Sequence, residues 1–527
     1  MMKILIADKL DPHSLSVLEG TEFEVLDRAG ISSEELPQAL QGCAALVVRS
    51  RTQVTDALLE SVPSLRAVGR AGTGVDNIDL SSATRRGVIV MNTPGGNSNS
   101  AAEHAVAMMM SLARNIPVAD QALSAGSFDK GRFLGVELHG KTLGILGLGR
   151  IGLLVAEKGK GLGMKVHGFD PVTPPETIRK HGIEPLSMEE VLRSADFVTI
   201  HVPLLPETKH LLNEDSLSWM KPQARLINCA RGGIVDEAAL LTALNEGRLA
   251  GAALDVFEVE PPVDSPLLQH PQVVTTPHLG ASTEEAQSNV ATAILNQIAD
   301  HLSGRATQGA VNGFPMDAQA REIIGPFLPL ALRLGRLAAG LGCHGSRLSA
   351  RFFGSVTEVS VRPLIAWFLK GYLERFLGSA VNEINALELA AQRGIEVEEV
   401  LREEHKSFQT LLSFGFDQTA VAGTLFGRNN LRIVRMLGHN MDAIPEGQLL
   451  VITNNDEPGV VGDVGRVLGE ERINIGNLSL GRSKEGDRAM AVFNLDAAPS
   501  KKTLDALTEL SAVHQCTLVD MEDIRNS

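Results

Sequence analysis

Short runs of aliphatic and β-branched residues alternate with helical stretches along most of the chain, and that rhythm predicts parallel α/β sheets. Within residues 1–95 the runs are KILIAD, EFEVLD, AALVVR, RAVGR and VIVMN. From about 98 to 115, SNSAAEHAVAMMMSLARN holds no Gly or Pro and predicts one long helix into a second unit. Its Met triplet reads as packing. Six further runs (TLGILG, KVHGFD, FVTIHV, ARLINCA, AALDVF and VVTTPH) predict a second doubly wound parallel sheet. The pattern then changes. VNGFPMDAQA (311–320) and AIPEGQ (443–448) read as linkers, with an α+β stretch over 321–440 between them. After the second linker the order strand, helix, strand, strand, helix, strand predicts a ferredoxin-like unit.

A chain of 527 residues is too long for one core and should divide into roughly three or four domains. With 44% apolar and 21% charged residues, its balance is that of a soluble globular protein. The N-terminus MMKILIADKL has a four-residue apolar run, too short for a signal peptide, and no later segment approaches a membrane span. The cytoplasm is the expected compartment. Cys43, Cys229, Cys343 and Cys516 lie far apart without metal-ligand spacing, so reduced thiols and no metal are expected. A formal charge of −15 makes nucleic acid and anionic membranes poor partners, and an anionic substrate would need a local basic pocket.

TLGILGLGRIG places Gly147, Gly149 and Gly152 after an apolar strand and at the start of a helix. Glycines there permit a tight turn and backbone approach to a pyrophosphate, which the helix N-terminus stabilises. The next strand ends in Asp170, 18 residues beyond Gly152, where a carboxylate would accept hydrogen bonds from the ribose hydroxyls and repel a 2′-phosphate. NAD is therefore expected over NADP. The bland alternative is a loop-capping Asp before Pro171.

Open α/β sheets put chemistry at the carboxyl ends of their strands. His201, Val202 and Pro203 end one predicted strand; Cys229, Ala230 and Arg231 end the next; Asp255 and Glu260 follow the next; His278 ends the last. Singly, His278 could be a core histidine, Arg231 a capping cation and Glu260 a loop acid. Together they supply the needs of 2-hydroxyacid oxidation. An arginine binds the carboxylate and polarises the carbonyl, a histidine takes the hydroxyl proton, and a carboxylate orients that histidine.

NTPGGNSNSAAEHAVAMMM, GLGRIG, NCARGGIVDE, ALDVFEVEPP and PHLGAS resemble, in order and spacing, the D-isomer-specific 2-hydroxyacid dehydrogenase family over about residues 1–305. The resemblance implies a flavodoxin-like substrate-binding lid at 1–97 and 283–304, with a Rossmann-type NAD-binding domain at 98–282 inserted in it. It implies Arg231, Glu260 and His278 as the catalytic trio, and NAD contacts at Thr73, Arg150, Ile151, Asp170, Val202, Cys229 and Asp255 as well as the glycine loop. In the lid, Arg49, Ser50, Arg51 and Arg70 fall at strand ends, and a phosphate is held by such arginines. Arg51 reads as ordinary surface arginine. Arg49, Arg70 and Asn97 match positions that touch substrate in family members acting on 3-phospho-D-glycerate, which implies that substrate, with Ser50 beside it.

Residues 306–445 resemble the α+β intervening domain of the family's long members, although Leu387 stands where those often have Pro. Residues 449–527 resemble an ACT domain, which implies Asp456, with Asn474 of the partner subunit, around a bound amino acid, L-serine by implication. Asn454 sits where relatives vary. An ACT domain that only assembles the oligomer stays open as the alternative, and a homotetramer is implied. Two rival functions also stand: a glyoxylate or hydroxypyruvate reductase, and an NAD-sensing binding protein like the C-terminal-binding-protein corepressors.

Overall fold

Parallel strands need crossover connections, and here helices supply them. The computed structural model describes all residues except 306–307, 315, 317, 418, 428, 483–487 and 523–527. The first sheet is parallel, in the spatial order Phe23–Asp27, Met2–Ile6, Cys43–Val48, Ala67–Arg70, Ile89–Asn92. This is the flavodoxin-like order 2-1-3-4-5. Leu5, Leu46, Val48, Val68 and Val90 pack under one layer. On the other face the helix Glu284–Leu302 lays Val290, Ile294 and Ile298 against Ile4, Ile6 and Met91. Burial on both faces explains why KILIAD and AALVVR show no polar alternation.

The second sheet is also parallel, ordered Val273–Thr275, Gly251–Leu254, Arg225–Asn228, Phe197–Ile200, Thr142–Leu146, Lys165–Phe169, Glu184–Pro185. Its direction of winding reverses between Thr142–Leu146 and Phe197–Ile200, the switch point of a Rossmann sheet. The apolar runs predict six of these strands; the two-residue Glu184–Pro185 is too short to show as one. The connecting helix is Ser98–Ala113, two residues shorter than 98–115. Asn115 enters the left-handed region at φ 53°, and Pro117 lies in the first turn of a separate helix, Ile116–Ser124. Met108 and Met109 are buried, while Met110 is exposed.

The third sheet is mixed, in the order Glu396–Arg402, Arg347–Phe353, Leu411–Phe416, Thr419–Phe426, Asn430–Met436, His439–Ala443. Helices Leu328–Gly340 and Arg362–Leu377 share its core, where Phe368 stacks on Phe414 with centroids 4.0 Å apart. Exposed Glu396, Glu398 and Glu399 on the edge strand discourage pairing with another chain. The fourth sheet is antiparallel, ordered Ile475–Arg482, Arg488–Leu495, Gln448–Asn455, Val513–Asp520, with helices Val460–Glu470 and Lys501–Thr508 on one face. The chain is thus α/β, with two parallel-sheet Rossmann-like units ahead of a mixed sheet and a ferredoxin-like antiparallel unit.

One expectation needs correction. The segment Gln319–Gly340 is long and apolar enough to cross a membrane by length and composition, yet 67% of its most apolar window is buried. Leu330, Leu334 and Leu337 belong to the core of the third sheet. Pro315 and Asp317 of the expected linker, and Ala306 and Thr307 at the expected start of the third unit, lie outside the described residues. The chain between them is not free. Asn92 N donates to Gly309 O at 2.9 Å and Val311 N to Val90 O at 2.7 Å, so it runs along the edge of the first sheet.

The open face of the fourth sheet is covered from within the chain. Leu449, Val451, Met490, Val492 and Val519 join the core of the third sheet. At that seam Arg336 Nη2 donates to Glu374 Oε1 at 2.8 Å, and Nη1 donates to the carbonyls of Met521 at 3.0 Å and Glu522 at 2.7 Å. Breaking one side of a buried pair leaves an uncompensated charge, so Arg336→Met should cost about 3–5 kcal/mol. The measurement is the urea midpoint followed by Trp367 fluorescence in a Trp219→Phe background. Adding Glu374→Leu should recover much of the loss, because an apolar replacement of both partners strands no charge.

Candidate active site

The glycine loop is built as a close backbone crossing. Gly147 has φ 93°, and a Cβ there would lie 2.6 Å from His201 O. A Cβ at Gly152 would lie 2.1 Å from Gly147 O, so the helix Arg150–Gly161 can approach the strand only without one. Gly149 caps that helix, and a Cβ there would meet nothing within 4 Å. Open space over free N–H groups at a helix start fits a pyrophosphate. Asp170 faces this loop, its Oδ2 accepting from Leu148 N at 2.8 Å and its Oδ1 from Val172 N and Thr173 N at 2.9 Å. Burial opposes its ionisation, but these three donors hold its pKa below the ordinary value. The residues present therefore fit a dinucleotide. Ile151 follows in the same helix, and Val202 packs beside the position a Gly147 side chain would take. Arg150 Nη1 reaches across to Pro94 O at 2.8 Å, bridging toward the first sheet.

The catalytic candidates converge. His278 Nδ1 donates to Glu260 Oε2 at 2.9 Å, and both side chains are partly solvent-accessible. That hydrogen bond raises the imidazole pKa above its ordinary value, against the opposing effects of burial and Arg231. Burial works against ionisation of Glu260, yet the His278 bond and charge outweigh it and hold the carboxyl low. Arg231 is fixed at two points, with Nη1 donating to Ala230 O at 2.7 Å and Nε to Asp76 Oδ2 at 3.2 Å. Beneath it, buried Asn228 donates to Arg231 O at 3.0 Å and accepts from Ala230 N at 3.1 Å.

Asp255 departs from expectation. It is only 1% exposed, and its carboxylate points into the protein. Thr276 Oγ1 at 2.6 Å, Leu279 N at 2.7 Å, Gly280 N at 2.9 Å and His104 Nε2 at 3.1 Å surround it. Those donors use its lone pairs, so it serves the turn after Thr276 rather than the cleft surface. Cys229 lies with His104 and Asp255 in a group whose donor atoms fall within 4.8 Å of one another. Burial, and then Asp255, push its thiol pKa far up. His201 is half-buried beside Thr199, and loss of solvent around its ring lowers its pKa to about 4.

From the first sheet, Arg70 arrives largely buried, with no hydrogen-bond partner for Nε. Burial and then Arg231 lower its pKa to about 10, with Arg49 adding to the effect. Thr73 Oγ1 donates to Asn97 Oδ1 at 2.9 Å, where the chain leaves the first sheet for the connecting helix. Arg49 N is anchored by Asp8 Oδ2 at 2.6 Å, and Ser50 is exposed beside it. Arg51 instead pairs with buried Asp8 at 2.9 Å and holds the strand ends together. Neither Asp76 nor His104 was singled out from the sequence, although His104 lies within the run NTPGGNSNSAAEHAVAMMM. The only available signal was helical register, which puts His104 one turn before Met108, beside the same Thr276 hydroxyl.

In the fourth sheet, Asp456 Oδ2 pairs with Arg482 Nε at 3.0 Å, and Asn474 Nδ2 donates to Asp496 Oδ2 at 2.9 Å. Within one chain they sit at opposite ends. Gln448 and Ile475 both align with Leu495, whereas Asp456 follows Asn455 at the far end of the strand. Roughly 25 Å of strand separates the two side chains. Asn454 is buried with Oδ1 unpartnered.

A dinucleotide loop and a hydrogen-bonded acid–base pair on one strand edge equip a nicotinamide-dependent dehydrogenase. Comparisons with known proteins are specific beyond that class. Residues 106–280 match the D-isomer specific 2-hydroxyacid dehydrogenase NAD binding domain, 323–437 the D-3-phosphoglycerate dehydrogenase intervening domain, and 448–512 the ACT domain. The D-3-phosphoglycerate dehydrogenase of Bacillus subtilis is 40% identical over 99% of this chain and 100% of its own. That of Archaeoglobus fulgidus is 37% identical over 99% and 100%. Among solved structures, the TT0316 protein of Thermus thermophilus aligns with TM-score 0.55 and 33% identity over 59% of this chain and all of its own. The chain belongs to the D-3-phosphoglycerate dehydrogenase family, and it is an NAD-dependent oxidoreductase.

The His278–Glu260 pair sets a pH dependence. Only neutral imidazole accepts a proton, so oxidation should rise as pH passes upward through the raised His278 pKa. Glu260→Gln removes the charge that raises it, and the acidic limb of the kcat/KM profile should move to lower pH while the maximum falls.

Proposed function

We propose that the protein oxidises 3-phospho-D-glycerate to 3-phosphooxypyruvate with NAD+, opening L-serine biosynthesis. The observation that carries this reading is the crowding of Arg49, Arg70 and Arg231, in which burial first and the neighbouring arginines second lower the Arg70 pKa, while its Nε stays buried and unpartnered. Such a pocket calls for a polyanion. A substrate bearing both a carboxylate and a phosphate meets it, whereas glyoxylate and hydroxypyruvate carry one carboxylate each. The names of the relatives and the intervening-domain match point the same way.

In this reading Arg231 receives the carboxylate, and Arg49, Arg70, Ser50 and Asn97 hold the rest of the substrate. His278 takes the hydroxyl proton, and ionised Glu260 stabilises the imidazolium that forms. Bound NAD+ supplies the hydride acceptor. Thr73, Gly147, Gly149, Arg150, Ile151, Gly152, Asp170, Val202 and Cys229 line its place. We assign residues 1–97 with 283–304 to the lid, 98–282 to the NAD domain, 306–445 to the intervening domain and 449–527 to the ACT domain. The cytoplasm is the proposed compartment.

L-serine is the proposed effector, held by Asp456 and by Asn474 of the partner subunit. Their separation within one chain calls for a second chain to bring them together, as a two-fold pairing of ACT domains would. A homotetramer would use a second surface as well. Exposed Ile116, Leu123, Phe128 and Leu134, on the segment after the connecting helix, supply an apolar one.

Two experiments test this. NADH should form with 3-phosphoglycerate when the product is trapped, far faster than with glycolate or glycerate, and His278→Asn should lose roughly two to four orders of magnitude in turnover while still binding NADH. Near-normal turnover in that variant would refute the acid–base assignment. Serine should inhibit the wild type, and Asp456→Ala should keep turnover but lose the inhibition, because a ligand without differential contacts shifts no equilibrium. An equally inhibited variant would place the effector elsewhere.

A further inference from the structure

His278 sits at φ 55°, in the left-handed region that a non-glycine residue occupies only when its surroundings hold it there. Asp255 supplies most of that hold, with Thr276 O as a second acceptor for His278 N at 3.1 Å. The Asp255 carbonyl accepts from His278 N at 2.9 Å, and its carboxylate accepts from Leu279 N at 2.7 Å and Gly280 N at 2.9 Å. Three successive amides of the turn thus end on Asp255. A carboxylate so deeply buried must itself be compensated from behind. Thr276 Oγ1 donates to it at 2.6 Å, and His104 Nε2 lies 3.1 Å from both the carboxylate and that hydroxyl. With the Thr276 proton directed at Asp255, the His104 ring must carry its proton on Nε2 to make either contact.

His104 belongs to the helix Ser98–Ala113, which carries the chain from the first sheet to the second. Four residues earlier on the same helix face, Ser100 Oγ meets Thr283 Oγ1 at 2.8 Å, at the cap of the helix Glu284–Leu302 that carries the chain back. Both connections between the two sheets therefore converge beside the Asp255 carboxylate. The proton transfer assigned to His278 and Glu260 does not use His104.

We propose that His104 is a positioning residue that holds the Asp255 carboxylate in place and, through it, the backbone of residues 278–280 that aims the His278 imidazole. The inference rests on the reading of His278 as proton acceptor. Around His278 the charged groups are Glu260, Asp255 and Arg231; around His104 the titratable groups are the Asp255 carboxylate and the neutral Cys229 thiol. Loosening the turn should let His278 drift from Glu260, whose hydrogen bond is the main cause of its raised pKa.

The test compares His104→Leu with His104→Gln in the full chain. Gln can present its own N–H to Asp255 but carries no ring and never a charge. For His104→Leu, kcat should fall roughly ten- to hundredfold, the cost of a misaimed catalytic group, with NADH affinity unchanged. The acidic limb of its pH profile should move to lower pH, and His104→Gln should restore both limb and turnover toward wild type. Wild-type turnover and an unmoved limb in His104→Leu would overturn the proposal. So would a fall in Tm and turnover with the limb in place, which marks mere structural support, and so would a His104→Gln variant as impaired as His104→Leu. His278→Asn separates this from failure of the underlying reading, since an inactive His278→Asn beside a normal His104→Leu would sink only the positioning role.

Discussion

In a parallel sheet each strand must be returned to the same starting edge, so all carboxyl ends gather on the opposite one. Here two such sheets are joined by two helices, Ser98–Ala113 and Glu284–Leu302, and their carboxyl edges meet. Arg49, Arg70 and Thr73 come from one edge, while Arg231, Glu260 and His278 come from the other. The contact from Arg231 to Asp76 at 3.2 Å and that from Arg150 to Pro94 at 2.8 Å cross between the two units. Every catalytic assignment inherits this constraint, because neither edge alone holds both the cation cluster and the acid–base pair.

Buried charges fix how the pieces meet. Asp8 accepts from Arg49 N, Thr52 and Arg51, pinning the loop that presents Arg49. Asp255 does the same for the His278 turn. Arg336 and Glu374 tie the helices of the third sheet to the last strand of the fourth. In each case a buried carboxylate takes donors from a segment distant in sequence, several for Asp8 and Asp255 and Arg336 for Glu374, so a small displacement would strand a charge.

The C-terminal half is coupled to the catalytic half by packing as well as by chain. Ile384 enters the core of the first sheet, Asn382 Nδ2 donates to Gly87 O at 2.8 Å, and the stretch around Ala310 runs along the edge strand Ile89–Asn92. The ACT sheet shares a core with the third sheet. A rearrangement at the ACT end thus meets a continuous path of close-packed contacts toward the first sheet.

Local pattern was enough for most of the strands. Runs such as KILIAD and TLGILG read as buried strands because both their faces are covered, and Gly147, Gly149, Gly152 and Asp170 were legible because a dinucleotide loop constrains residue type at fixed spacing. The order of strand ends likewise exposed Arg231, Glu260 and His278. Glu184–Pro185 was not legible, since two residues carry no period, and the end of the connecting helix depended on the backbone of Asn115. Only the tertiary structure turned Asp255 inward, set Asp76 on Arg231 and His104 behind Asp255, and put Asp456 and Asn474 at opposite ends of their sheet. Sequence period reports which face of an element is apolar. Which donors fill a buried carboxylate is decided by segments such as His104 and Asp255, some 150 residues apart, whose meeting no local signal encodes.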